Sequence, residues 1–191
     1  DTENPQMNAL GFHIPGLFDK IVDVEHCYLQ QEPSNALRLA LKEFALENNL
    51  SFYSQRQNEG FLRNMVVRTT STNELMVIVI FGEDNKEAIQ QVMDFIKHKF
   101  ESSITSLNYI VNQKLNDSFS DLDVILYHGR PFVYEAMDDF KFMVGPKSFY
   151  QTNSEQAYQL YSITRNFADL KGDEIVYDLY TGTGTIACFV S

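Results

Sequence analysis

Apolar residues recur along this chain with two spacings, and the switches between them divide it into elements. From Ser34, a suitable N-cap, Leu37, Leu41, Phe44 and Ala45 fall on one face of an amphipathic helix that runs to about Glu47 and ends at Asn48-Asn49. Leu62 to Thr70 and Glu74 to Gly82 are rich in β-branched and apolar residues, and Ser71-Thr72-Asn73 between them predicts an antiparallel hairpin. A second helix follows, with Asp84 as cap, Glu87 three residues on, and Ile89, Val92, Met93, Ile96 and Phe100 on one face. That stripe reads as core, not as a binding surface. Thr105 to Asn112, Asp123 to Tyr127, Val133 to Met137 and Phe140 to Val144 then read as strands. The sum is an α+β unit over residues 34–144, with helices packed on one side of a mainly antiparallel sheet. Residues 1–33 ahead of it are punctuated by Pro and Gly. With Gly11-Phe12-His13-Ile14-Pro15-Gly16 and the strand-like Lys20 to Glu25, they read as a hairpin and linker.

After Gly145-Pro146 the pattern changes again. Lys147 to Asn153 lead into a helix from about Ser154 to Asp169, with Thr152 and Glu155 at the spacing of a capping box. A short linker, Leu170-Lys-Gly-Asp173, precedes the apolar run Ile175-Val-Tyr-Asp178, which reads as a strand. It enters the turn Thr181-Gly-Thr-Gly-Thr185, and Ile186 to Val190 read as the start of a helix. A strand, a glycine turn and a helix N-terminus together make a site for a nucleotide cofactor, because glycine lets the backbone bend and approach a ligand. A doubly wound domain needs several more such units, so residues 145–191 are expected to be its opening only, and the chain a piece of a larger enzyme.

Composition changes this picture little. With 191 residues, 44% hydrophobic, 15 Phe and 10 Tyr, the chain has ample material for a core. Its two cysteines, Cys27 and Cys188, lie far apart and make no disulfide framework, no basic-then-apolar leader opens the chain, and the longest apolar run, Leu75 to Phe81, has strand length. The expectation is a cytoplasmic protein with no membrane span. The formal charge of -11 argues against this segment being the main grip on nucleic acid, which draws on clustered Lys and Arg. Arg63, Arg68 and Arg130 are its candidate phosphate contacts, though scattered arginines more often sit on solvated faces.

Ser148-Phe-Tyr-Gln-Thr-Asn153, followed by Asp178-Leu-Tyr-Thr-Gly-Thr-Gly-Thr185, resembles the paired signature of the RNA uracil-C5 methyltransferases. The lead-in Gly11-Phe12-His13 and Ile21-Val-Asp-Val-Glu-His-Cys27 is similar to the segment that joins the N-terminal part of these enzymes to their central domain. A glycine pair alone also occurs in dehydrogenases and in plain loops. Here there is no Gly-Lys-Ser/Thr of a P-loop, and Ala187 stands three past Gly184, where the dehydrogenase spacing is broken.

The resemblance implies that Gln151, Tyr180 and Thr185 contact S-adenosylmethionine, while Asp178, Gly182 and Gly184 shape the turn beneath its methionine part. An amide that both donates and accepts suits a zwitterionic tail, and an aromatic face suits a sulfonium cation. Each residue also has a structural reading: Gln151 bonding the backbone where the helix begins, Tyr180 a core aromatic, Thr185 a helix cap. Thr181 departs from the pattern, since many relatives carry Cys there. Cys188, in an apolar run, reads as a buried, inert thiol. Cys27 matches a ligand of the iron-sulfur cluster that some relatives hold. The three partner cysteines are missing, so a cluster is conceivable only in a longer parent.

The implied chemistry is covalent. A cysteine thiolate adds to C6 of the uracil, C5 takes the methyl group, a base removes the C5 proton, and the cysteine leaves. Neither nucleophile nor base is in this sequence, so no catalytic residue is assigned to it and the chain alone is expected to be inactive. Its RNA is expected to be 23S ribosomal RNA, with transfer RNA as the alternative. The sequence does not set an oligomeric state. A reading from another class, an α+β interaction module whose sheet edge binds a partner and whose glycine turn is only a loop, stays open, and a nicotinamide-dependent oxidoreductase is disfavoured by the glycine spacing.

Overall fold

The computed structural model describes residues 8–191. Residues 1–7 of the expected N-terminal hairpin segment lie outside the described residues. The elements are β1 (Phe12–Ile14), β2 (Leu17–Val22), α1 (Ser34–Glu47), β3 (Leu62–Thr69), β4 (Leu75–Phe81), α2 (Lys86–Phe100) and β5 (Ser106–Val111). There follow β6 (Ile125–Gly129), β7 (Val133–Met137), β8 (Phe140–Val144), α3 (Ser154–Ala168) and α4 (Thr185–Val190).

Four strands form the central sheet in the order β3-β4-β5-β6. β3 and β4 pair antiparallel through the hairpin read from the sequence, with Asn73 at its turn in the left-handed region (φ 58°), a conformation Asn tolerates. β4 and β5 run parallel because α2 carries the chain back between them, and β6 closes the order antiparallel to β5. The expected mainly antiparallel sheet is thus a mixed one. β1-β2 and β7-β8 are separate two-stranded sheets.

β4 explains the layering. Its seven residues, Leu-Met-Val-Ile-Val-Ile-Phe, are all buried. Leu75, Val77, Val79 and Phe81 join Leu37 and Leu41 of α1 and Ile89, Val92, Met93 and Ile96 of α2 in one core. Met76, Ile78 and Ile80 point the other way. With Ile110 they meet Val133 and Met137 of β7, Phe142 and Val144 of β8, Ala157 and Tyr161 of α3 and Phe189 of α4. The expectation of helices on one side therefore gives half the answer. The opposite face is covered too, and an unbroken apolar run rather than an alternating one is the mark of a strand buried on both faces.

Helix ends differ from the expected caps. α2 is capped by Asn85, whose side chain accepts from the Ala88 amide at 3.2 Å, in place of Asp84. α3 is capped by Asn153, which accepts from Gln156 N–H at 3.0 Å, in place of Thr152. In both cases the cap is one residue later than the sequence pattern suggested, at the last residue before the helical backbone begins. Ser34 is the first residue of α1 and not its cap. Glu32 reaches the Ala36 amide instead, and its hydrogen bond from Asn35, helped by that amide, holds its carboxyl below the ordinary value.

The fold class is α+β as expected, but one element within it is absent. Residues 175–178, read as the strand entering the glycine turn, form no strand. A strand exists only through hydrogen bonds to a neighbour, and no described strand lies beside this run to supply them.

Candidate cofactor-binding site

The turn at 178–185 is built by local chemistry. Tyr180, Gly182 and Gly184 all take left-handed backbone, with φ of 62°, 56° and 75°. Glycine adopts this freely, and side-chain room is not the constraint, since a Cβ on Gly182 or Gly184 would meet nothing nearer than 3.9 Å. Tyr180 adopts it at a cost of about 1–2 kcal/mol, a strain found where a backbone is held for a purpose. Its ring stands wholly in solvent. Thr181 Oγ1 donates to Asp178 Oδ2 at 3.0 Å, Gly184 N–H donates to Thr181 C=O at 2.8 Å, and the hydroxyls of Thr183 and Thr185 bond each other at 2.7 Å. The threonine that departs from the usual cysteine thus ties the end of the apolar run to the turn.

Gln151 lies in the loop before Asn153, exposed, and makes no hydrogen bond among the described residues. Its amide is free, so the structural reading of Gln151 as a backbone-bonding residue is not what the structure shows. Nor is Tyr180 a core aromatic. Thr185 is buried at the first position of α4, behind the N-cap Gly184.

The two halves of the expected site are joined through helix packing. Phe189 of α4 is fully buried, 5.4 Å from the ring of Tyr158 and 6.0 Å from that of Tyr161, both on α3, and Arg165 stacks over it at 4.5 Å. Asp178, Thr181, Gly182, Gly184 and Thr185 are brought together by the turn's own hydrogen bonds, while Gln151, three residues ahead of α3, forms no bond with them. Cys188 is half-buried beside the same core, as a packing thiol would be.

The Ser148–Asn153 segment edges a cleft of about 410 Å3 whose lining includes Arg68, Ser118, Ser120, Lys147 and Tyr150. A second cleft, of about 530 Å3, lies across the Gly145–Ser148 turn. Neither is lined by Gln151 or by the glycine turn. The Tyr150 hydroxyl is buried with no partner, and burial, with Glu135 and Tyr161 nearby, pushes its pKa up, so it stays protonated. No sequence signal beyond its place in the motif marks it.

The three arginines prove to be bound into the fold rather than solvated. Arg63 is buried and spends all five N–H groups. Nη1 donates to the carbonyls of Asn112 and Lys114, both at 2.7 Å, Nη2 to the Asn116 carbonyl and Asp117 Oδ1, and Nε to the same carboxylate oxygen at 3.2 Å. Its plane also lies 4.2 Å over Tyr53. Arg130 donates from Nε to the Phe132 carbonyl and pairs with Glu74, whose other contact is the Tyr134 amide. Arg68 donates from Nη1 to the Ser148 carbonyl at 2.9 Å. The expectation of phosphate contacts therefore fails for Arg63, which has no donor left.

Near the N-terminal hairpin, Cys27 is gripped by Asn35. The Cys27 amide donates to Asn35 Oδ1 at 2.8 Å, and Asn35 Nδ2 donates back to the Cys27 carbonyl at 3.3 Å and to Glu32 Oε1 at 2.9 Å. Among the described residues no group of three or more His, Cys, Asp or Glu is placed to hold a metal. One thiol is not a cluster's ligand set, so these residues do not fit an iron-sulfur centre. Among the described residues no helix is long and apolar enough to cross a membrane.

No protein-family model matches the chain. It is 55% identical over 194 residues to an uncharacterized RNA methyltransferase of Bacteroides thetaiotaomicron, a match that covers 100% of this chain and 42% of that protein. It is 50% identical over 185 residues to one of Porphyromonas gingivalis, covering 96% and 40%. Among solved structures it superposes on the Pyrococcus abyssi tRNA (uracil-54, C5)-methyltransferase in complex with S-adenosyl-L-homocysteine, with a TM-score of 0.71 and 30% identity over 90% of this chain and 41% of that one. The likeness to RNA methyltransferases carried by the two sequence motifs thus extends along the whole chain, and the chain spans about two-fifths of the length of the relatives it matches.

Proposed function

We propose that this chain, homologous from end to end to part of the RNA methyltransferases, is the central domain (34–144) and the opening of the cofactor domain (145–191) of an S-adenosylmethionine-dependent enzyme. The parent methylates C5 of a uridine, giving 5-methyluridine in 23S ribosomal RNA in the cytoplasm. The observation that carries the reading is a bond-free Gln151 just ahead of α3 and, just ahead of α4, a turn that holds Tyr180 in strained, solvent-facing backbone, the two helices packing on each other through Tyr158, Tyr161 and Phe189. These residues fit the group. The Gln151 amide would hold both ends of an amino-acid tail, the Tyr180 ring would face a sulfonium, and Gly182 and Gly184 would leave the backbone open beneath them. When bound, S-adenosylmethionine supplies an electrophilic methyl. The cysteine that adds to uracil C6, and the base, belong on this reading to the portion of the relatives outside the match, so the 191-residue chain is inactive by itself.

Transfer RNA is the second reading, favoured by the likeness to a tRNA (uracil-54, C5)-methyltransferase. The test is to incubate the full-length protein with S-adenosylmethionine carrying a labelled methyl group and with unmodified 23S ribosomal RNA or transfer RNA, then digest and chromatograph the nucleosides. Label in 5-methyluridine from 23S RNA is expected. Label from transfer RNA alone moves the proposal to the second reading, and no label from either refutes it. Gln151→Ala and Tyr180→Ala are each expected to weaken cofactor binding by about tenfold, the equivalent of ~1.4 kcal/mol.

A further inference from the structure

The arginines on β3 and after β6 differ in what they have left to give. Arg63 has spent every donor, and Arg130 is paired with Glu74 and lies over the rings of Phe132 and Tyr134. Arg68 makes a single hydrogen bond among the described residues, from Nη1 to Ser148. Its Nε and Nη2 have no partner among the described residues and are not fully buried, and the residue lines the 410 Å3 cleft. Around them stand other donors: the hydroxyls of Ser118, Ser120 and Thr152, the Lys147 ammonium, and the partnerless Tyr150 hydroxyl. The carboxylate on the same wall, Asp117, is engaged by Arg63, and Glu135, which faces Arg68 from β7, is engaged by the Ser71 amide at 2.9 Å.

A half-buried guanidinium with free donors, ringed by hydroxyls, with Asp117 paired to Arg63 and Glu135 its one remaining carboxylate neighbour, is matched to a ligand that only accepts. We propose that this cleft is a subsite for a phosphodiester of the RNA, held by Arg68 Nε and Nη2, with Lys147 and the serine hydroxyls completing its shell. The proposal rests on the RNA methyltransferase reading and adds to it a place where the strand is gripped. It also reconciles a chain of charge -11 with an RNA partner, because one built site needs no basic surface. Arg68 has a double role in this arrangement, since its Nη1 bond to Ser148 fixes the segment that carries Gln151 three residues on.

The experiment measures binding of a single-stranded RNA oligonucleotide to the full-length protein by fluorescence anisotropy across a series of salt concentrations. Arg68→Met is expected to weaken binding and to lower the slope of log K against log salt by about 0.7, the value for one phosphate on a single strand. Arg68→Lys is expected to keep most of that slope. S-adenosylmethionine affinity is expected to fall in Arg68→Met by much less than RNA affinity, through loss of the Ser148 bond alone, and to stay unchanged in Arg68→Lys. An unchanged slope in Arg68→Met overturns the proposal, and so does an equal fall in cofactor affinity, which would leave Arg68 only a role in holding Ser148. In parallel, labelling of Arg68 by phenylglyoxal, read by mass spectrometry, is expected to be slowed by inorganic phosphate and not by chloride at equal ionic strength. If the wild-type protein binds no RNA, the methyltransferase reading fails, and this labelling decides the site alone: protection leaves a free-anion site, and none removes it.

Discussion

Two apolar runs of similar length, Leu75–Phe81 and Ile175–Tyr180, meet opposite fates. Every residue of the first is at most 3% exposed, paired on both sides and covered on both faces. In the second, Ile175, Tyr177 and Tyr180 are 83%, 82% and 103% exposed, and no ladder forms. The residue types are comparable, so the difference lies in the company they keep. A strand is a relation between segments. Without a partner its amides stay with water and its side chains gain nothing from alignment.

The largest effect expected from this contrast is in stability. Phe81→Ala should cost about 3–5 kcal/mol in urea unfolding of the chain, because the ring is fully buried against Phe61 and Tyr109, whereas Tyr180→Ala should stay within about 0.5 kcal/mol. Comparable losses would mean that the second run is packed after all. The two positions should exchange rank in cofactor binding by the full-length protein, where Tyr180 is expected to matter and Phe81 only through folding.

A smaller effect concerns how the second region is anchored. Asn153→Ala should destabilise α3 by about 1 kcal/mol and Thr152→Ala by much less, measured as helical circular dichroism through a urea titration. The reverse order would restore the capping box that the sequence suggested.

The smallest effect is the pH dependence of the seam between the central sheet and β7. Glu74 accepts from the Tyr134 amide at 2.6 Å and pairs with Arg130. Burial works to raise its pKa, but the Arg130 and Tyr134 contacts outweigh it and the carboxyl ends below its ordinary value of 4.5. A folded-state pKa lower than the unfolded one adds stability that is complete above 4.5 and fades as pH falls through the folded value. The stability difference between wild type and Glu74→Gln should therefore shrink on acidification below 4.5, and a constant gap would mean that the charge does nothing there.

Much of the fold was legible because it follows from local periodicity. β7 and β8 have the expected bounds, and α1, β3, β4, α2, β5 and α3 lie within two residues of theirs, since apolar spacing and turn residues act over a few positions. The glycine turn was legible for the same reason: left-handed backbone at 182 and 184 is a local demand that glycine meets. The arginines were not. Nothing in the sequence around Arg63 announces that five donors will close on a loop some fifty residues away, or that Arg68 will reach Ser148 across eighty. Asn35 holding Cys27 is likewise a contact between elements, where a cysteine in a loop had suggested only a vestige of another chemistry.

By itself, then, the sequence determined the helices and most of the strands to within a few residues, the glycine turn at 182 and 184, and the two short motifs that tie the chain to RNA methyltransferases. Tertiary structure decided which apolar runs become strands, that the central sheet is covered on both faces, which residue caps each helix, and which arginine keeps donors free. The physical reason is range. Backbone conformation answers to near neighbours, while burial, strand pairing and the satisfaction of a charged side chain are settled only by partners the chain brings from far away.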